Sequence, residues 1–333
     1  MDVTIRKYTA GDRAIWDALY SSNPALSAYQ SSDFMEKYLK TARFGKRRAL
    51  LQSEILLCSV DAAQIICPLA IDSRKKEVYL LGDFSAVGYC DLIYSAEITN
   101  VQIEAVLNSL KNRYLGYTWK FNKVNESSAL CRYLLCNGEK LSQSECVCIG
   151  LGCDYDTYYK SLSKHARQNI RTAYNRLNRN KKTYTFHVVQ GAEQLTKQQK
   201  DDIIRLYCTR MRSKFGKEVL PYPIMYPVQR YCNPIVRNLY SLDNKFHAML
   251  YIDGELAAFL SGLRNGDGSR IVVPRLAMND TFDFYEPGIV LLRETAEYLC
   301  REYPNTELDL SRGNEKYKFV MGGKTHLNYS FVL

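Results

Sequence analysis

At 333 residues the chain exceeds what a single hydrophobic core usually supports, so two domains are expected. A composition of 46% hydrophobic and 24% charged residues excludes a disordered or fibrous protein, and no apolar run is long enough to span a bilayer. The net charge of +10 suits an anionic partner, without choosing among phosphate, nucleotide, nucleic acid and membrane surface.

Residues 3–8 alternate as a short strand, and 12–21 read as a helix with Trp16, Leu19 and Tyr20 on its apolar side. Ser32 or Asp33 suits the cap of a helix over 34–41. Strand patterns follow at 49–60, 64–72 and 77–81. A helix over 98–115 carries Ile103, Val106, Leu107 and Leu110 on one face, and a strand at 117–122 and a helix at 127–135 come next. A boundary falls within 141–152, where a strand at 145–151 opens a second α/β series, giving domains 1–143 and 144–333. One long helix is expected over 156–178, then a strand at 184–190 and a helix at 196–215. Residues 220–234, rich in proline and tyrosine, read as a loop with short turns. An antiparallel run follows at 246–252, 256–263 and 270–278, with a turn at Asp253-Gly254. A helix from Pro287 and strands at 307–310 and 326–332 close the chain. The two halves share a loose order of elements, which suggests a duplicated domain.

The eleven cysteines are scattered, odd in number and without CxxC, and the N-terminus lacks a basic-then-apolar leader. Both point to a cytoplasmic protein. The four histidines show no metal-ligand spacing, and no metal is expected. Pro287 suits the first position of a helix, and Gly288 lets a ligand approach the amides of Gly288, Ile289 and Val290. Such a helix start favours phosphate. After the strand at 307–310, Asp309, Ser311, Arg312, Asn314, Glu315, Tyr317 and Lys318 crowd within ten residues. The plainer readings are a helix cap for Asp309 or Ser311 and a surface ion pair for Glu315 and Lys318. Lys160, Lys164, Arg167 and Arg171 share one helical face opposite Leu162, Ala166, Ile170 and Leu177. That stripe is either a solvated face or a cradle for phosphates.

The second half resembles the GNAT acyltransferase fold, and within it the CelD-type branch linked to polysaccharide biosynthesis. The likeness rests on SLSKHARQNIRTAYNRL (161–177), DGELAAFLSG (253–262), EPGIVLLRETAEYL (286–299) and DLSRGNEKYKF (309–319). The last is similar to the signature D-x-x-x-G-x-E-x-Y-K. In the first half, SAYQSSDFMEKYL (27–39) and GYCDLIY (88–94) are also similar to family segments. The resemblance implies tandem GNAT-like domains of α/β class, each a mixed, mostly antiparallel sheet flanked by helices, with the first degenerate. It implies transfer of an acyl group from an acyl-CoA to an amine on a sugar or amino-acid acceptor. The strand 270–278, at Ala277 and Met278, would offer a backbone N–H to the oxyanion, and Pro287, Gly288, Ile289 and Val290 would seat the carrier's pyrophosphate. Glu315 or Asp309 would take the ammonium proton, Tyr317 or Tyr285 would protonate the thiolate, and Lys318 would stabilise the tetrahedral intermediate. Arg167, Arg171, Arg312, Asn314 and Tyr285, with Tyr89 and Asp91 from the first half, would bind the acceptor. The usual pyrophosphate loop, Arg/Gln-x-x-Gly-x-Gly/Ala, is replaced by Asp283-Phe284-Tyr285-Glu286-Pro287-Gly288. The Tyr-Lys-Phe and Gly-Gly elements are also similar to the Fem aminoacyl transferases, which implies an alternative donor, aminoacyl-tRNA. A non-catalytic GNAT fold that binds a nucleotide or polymer precursor is the third reading.

Overall fold

The computed structural model describes residues 1–41, 51–83, 87–152 and 154–333. Residues 1–145 with 326–333 form one unit and residues 146–325 the other. The first unit runs β1 (Val3–Lys7), α1 (Arg13–Ser21), α2 (Ser32–Thr41), β2 (Gln52–Val60), β3 (Ala63–Asp72), β4 (Glu77–Leu80), β5 (Ile93–Tyr94), α3 (Asn100–Arg113), β6 (Thr118–Asn125) and α4 (Ala129–Asn137). The helix at α3 begins where Thr99 and Gln102 close a capping box, and its buried stripe is Ile103, Val106, Leu107 and Leu110, as the periodicity predicts. The sheet order is β1-β2-β3-β4-β6, with β5 beside β3, and the C-terminal strand β13 (Lys324–Val332) pairs antiparallel with β6. The sequence division puts everything from residue 144 onward in the second half; in the structure Asn328 lies opposite Asn125 and Phe331 opposite Phe121. Residues 49–50 of the predicted strand 49–60 lie outside the described residues.

The strand β7 (Glu139–Gly150) leads into the second unit. There follow α5 (Tyr155–Ser161), α6 (Lys164–Arg179), β8 (Tyr184–Gln190), α7 (Lys197–Phe215), α8 (Tyr222–Pro227), a π-helical turn (Val228–Cys232), α9 (Pro234–Ser241), β9 (Lys245–Ile252), β10 (Glu255–Arg264) and β11 (Arg270–Met278). The chain then runs through a 3-10 turn (Asp280–Tyr285), α10 (Pro287–Glu302), β12 (Glu307–Arg312) and α11 (Lys316–Val320). The strand order is β7-β12-β11-β10-β9-β8, antiparallel except for β11 with β12. The β9–β10 turn has Asp253 at φ 50° and Gly254 at φ 82°, the left-handed pair that a tight hairpin demands.

Both faces of this sheet are covered. Phe246, Ala248, Leu250 and Ile252 alternate onto the core shared with α6 and α10, while Met249, Phe259 and Ala277 face α7. That double burial explains why β9 and β10 read as nearly continuous apolar runs. Two predicted elements differ. The single helix over 156–178 breaks at Leu162 (ψ 150°), because Ser163 caps a new helix by accepting the Ala166 amide at 3.1 Å. The segment 220–234 is helical, not looped: Pro221 precedes the first turn of α8, and the π turn follows. Local turn composition there was overridden by packing of Met225 with Ile204, Cys208 and Val236.

Candidate active site

In the second unit β11 and β12 pair over only three residues, Arg270 with Glu307, Ile271 with Leu308 and Val272 with Asp309. Beyond Val272 the strands part, so 273–278 have no β12 partner on that edge. Asp309 sits at the fork, 1% exposed, its Oδ1 accepting the Ser311 amide at 2.8 Å. Ser311 adopts φ 54°, a conformation unfavourable for a residue with a Cβ, and its buried Oγ has no hydrogen-bond partner. Backbone strain and a hydroxyl without a protein partner thus coincide at one residue, two positions from Asp309. On the same sheet face Arg270 donates Nε and Nη2 to Glu307 at 3.0 and 2.9 Å, and Cys148 lies opposite Asp309. Burial, reinforced by Asp309 and Glu307, pushes the Cys148 thiol up, so it stays protonated.

The polar loop after β12 is organised around Lys318. Its ammonium is buried (2% exposed) and lies 3.1 Å from Leu310 O, 3.4 Å from Ser311 O, 3.2 Å from Arg312 O and 2.9 Å from Gly313 O. Glu315 Oε2 stands at 3.1 Å as an ion pair without hydrogen-bond geometry, and Lys214 reaches Oε1 at 3.2 Å. Three ammonium protons are thus shared among more acceptors than they can fill. Burial acts to raise the Glu315 pKa, but Lys318 and Lys214 outweigh it and hold the carboxylate below its usual range. Tyr317 is pushed up by burial and then by Glu315, which keeps its phenol protonated. Neither Asp309 nor Ser311 caps α11, whose N-cap is Glu315 without a side-chain bond.

At the start of α10 the Ile289 and Val290 amides donate to the Glu286 carbonyl at 2.9 and 3.2 Å. Residues 287–290 are all buried, and a Cβ on Gly288 would fall on Met278 Sδ, well inside van der Waals contact. Gly288 therefore serves close packing of β11 against α10. The open row of three amides expected from the sequence is not present: two amides are spent on Glu286, and Gly288 is covered. The Glu286 carboxylate adds negative charge at this end, 3.7 Å from Arg176.

The other sequence candidates scatter. Arg167 donates Nη1 to Lys160 O at 2.7 Å and Leu162 O at 3.0 Å, closing the C-terminal end of α5. Arg171 reaches Gln168 and lines a cavity of about 500 Å³ with Tyr155, Tyr159, Tyr174, Tyr184 and Arg293. The Arg293 charge is spent there on Glu294 (2.9 Å) and Glu297 (2.5 Å). Tyr285 accepts from Asn180 at 3.1 Å, while Arg312 and Asn314 are exposed on the loop. Ala277 faces the α7 side and Met278 the α10 side. In the first unit Tyr89 is buried, stacked on His326 and 3.3 Å from its Nε2. Asp91 accepts from Leu92 N at 2.8 Å and Tyr94 OH at 3.1 Å, and burial raises its carboxyl to about 7. Both side chains are buried and bonded within the first unit. Sequence reasoning missed Arg275, the one charge in an otherwise apolar stretch of β11. Its isolation among Val, Pro, Leu and Ala was the available signal. Among the described residues, no three His, Cys, Asp or Glu side chains come together as a metal-ligand group.

Residues 164–319 match a family model described as acetyltransferase (GNAT) domain. A solved structure of FemX is similar over 99% of this chain and 96% of its own, at 13% identity and a TM-score of 0.65. A tandem GNAT protein from the clavulanic acid biosynthesis pathway is similar over 100% and 98%, at 10% identity and a TM-score of 0.57. The fold is the tandem GNAT fold. A third similar structure, L-PGS from Bacillus licheniformis, covers 90% of this chain and 91% of its own, at 13% identity and a TM-score of 0.51. A search of curated protein sequences finds no match. In tandem GNAT terms the fork between β11 and β12 belongs to the second unit, and the family match falls within that unit. Among the described residues no helix is long and apolar enough to cross a membrane.

Proposed function

We propose that the second unit transfers an acyl group to an amine, with the activated carbonyl lying in the fork between β11 and β12. The single supporting observation is the parting of these strands beyond Val272 and Asp309, which leaves backbone hydrogen-bonding groups of 273–278 without a β12 partner. Buried strand edges need partners, and a carbonyl whose oxygen gains negative charge is a suitable one. The acceptor nitrogen forms the new C–N bond, the acyl carbon's bond to the carrier breaks, and the leaving atom takes a proton. Asp309 is the proton acceptor for the ammonium, because of the two carboxylates that are candidate bases, Asp309 and Glu315, it is the one at the fork. Lys318 and Glu315 are positioning residues that hold the loop 310–313. The acceptor is an amine on an amino acid or sugar made for an extracellular polymer, and the protein works in the cytoplasm.

The donor of the main reading is an acyl-CoA. The α10 start favours a second donor, an aminoacyl-tRNA, because the amides that would seat a pyrophosphate are spent on Glu286 and carry an acid beside them. Incubating the full chain with acetyl-CoA, longer acyl-CoAs or charged tRNA, each with an amine panel, separates the two. Amine-dependent thiol release supports the first; deacylation of tRNA onto the amine, with no thiol from any acyl-CoA, replaces it with the second. No transfer from any donor leaves the binding-protein reading.

A further inference from the structure

We propose that Arg275 is the receptor for a carboxylate carried by the amine acceptor, which makes that acceptor an amino acid. This inference rests on the acyl-transfer reading above. Arg275 lies on β11 beyond the last β12 pair, and its side chain is buried at 4% exposure on the α7–α9 face. Its Nη2 donates to Gln229 Oε1 at 2.6 Å, and the guanidinium stacks over the Tyr207 ring at 4.0 Å. Nε and Nη1 are buried without any hydrogen-bond partner, and no described carboxylate forms an ion pair with it. A guanidinium keeps its charge across the working pH range, so a buried one with two idle donors and no counter-charge is costly unless a ligand supplies them.

The surroundings are polar. Arg275 lies directly opposite Ser261, and Ser261 directly opposite His247, so one register line across three strands carries a buried polar row, on the sheet face that also holds Lys245 and Asp309. His247 Nδ1 and Ser261 Oγ are 2.9 Å apart, and His247 Nε2 meets Leu239 O at 3.0 Å. Gln229 comes from the π-helical turn, which Asp201 braces through Arg230 (3.4 Å), while Tyr226 of α8 donates to the same carboxylate at 2.9 Å. Side-chain donors and acceptors from three strands thus converge beside a π turn, an element frequent at functional sites. Arg230 is paired with Asp201, while Arg275 has no ion-pair partner among the described residues, and the two idle guanidinium donors suit the two oxygens of a carboxylate.

The test is calorimetric titration of the full chain with the twenty common L-amino acids, their C-terminal amides, acetate and inorganic phosphate, alongside acetyl-CoA. At least one free amino acid should bind, with its amide weaker by about thirtyfold or more, and Arg275→Met should lose that binding. Equal binding of acid and amide, no binding by any amino acid, tighter binding of phosphate, or undiminished binding by Arg275→Met overturns the inference. Should Arg275→Met not fold, the acid-against-amide ratio of the native chain decides alone. Binding of acetyl-CoA without any amino acid sinks this receptor and leaves the transferase reading standing; amino-acid binding without acetyl-CoA does the reverse for the CoA donor.

Discussion

Replacing Lys318 with methionine separates a structural lysine from a catalytic one. The side chain keeps its length, but the ammonium that four carbonyls and Glu315 share is gone. Leu310, Ser311, Arg312 and Gly313 would each lose a charged donor, and water reaches a group 2% exposed poorly. An orphaned buried acceptor costs about 1–3 kcal/mol, and breaking a buried pair about 3–5 kcal/mol. Relief of the lysine's own desolvation offsets part of this, so a net loss of about 3–5 kcal/mol is expected. At ~2–4 °C per kcal/mol for a domain of this size, the melting temperature should fall by about 6–20 °C. Urea denaturation and a thermal scan of Lys318→Met measure this. A variant within about 1 kcal/mol of the native chain that had nonetheless lost all turnover would refute the reasoning, since the lysine would then act on substrate.

Asp309→Asn should lower kcat by about a hundredfold or more with the fold kept, whereas Glu315→Gln should cost less than about tenfold; steady-state kinetics with a fold check by circular dichroism compares them. Gly288→Ala should lose about 1 kcal/mol, because overpacking against Met278 at about 1–3 kcal/mol exceeds a helix-propensity gain of about 1 kcal/mol. In a Met278→Ala background the same change should become stabilising, which a double-mutant cycle by urea titration reads directly. His247 is buried, and desolvation pushes its pKa down from 6.5 to about 4, so the unfolded chain binds the extra proton between those values. Its contribution is therefore present above pH 6.5 and drains away as pH falls toward 4, about 3 kcal/mol in all. The native chain should lose more stability than His247→Gln between pH 7 and pH 4.5; parallel losses would contradict the burial of a neutral imidazole.

What the sequence made legible was what local pattern controls. Apolar runs bounded by turn residues located β9, β10 and β11, Asp253-Gly254 marked the β9–β10 turn, and Pro287 the first turn of α10. The break between α5 and α6 was hidden because Ser163 sits within an unbroken helical period and its capping bond to Ala166 is a choice of rotamer. Residues 220–234 carry proline and tyrosine, which signal turns, yet burial of Met225 winds them into helix. The candidate site was half visible. DLSRGNEKYK marked the right loop, but residue types alone could not show that Lys318 points into its own backbone while Asp309 lies at the strand fork. Arg275 needed register: only when β9, β10 and β11 are aligned do His247, Ser261 and Arg275 form one row.

Hydrogen–deuterium exchange of the full chain with and without a saturating acyl-CoA, and with charged tRNA in parallel, bears most directly on where the donor lies. Slowed exchange concentrated in residues 273–278 and 309–313 is the result the strand fork predicts. Protection confined to other segments, with these amides exchanging as in the free protein, would contradict it.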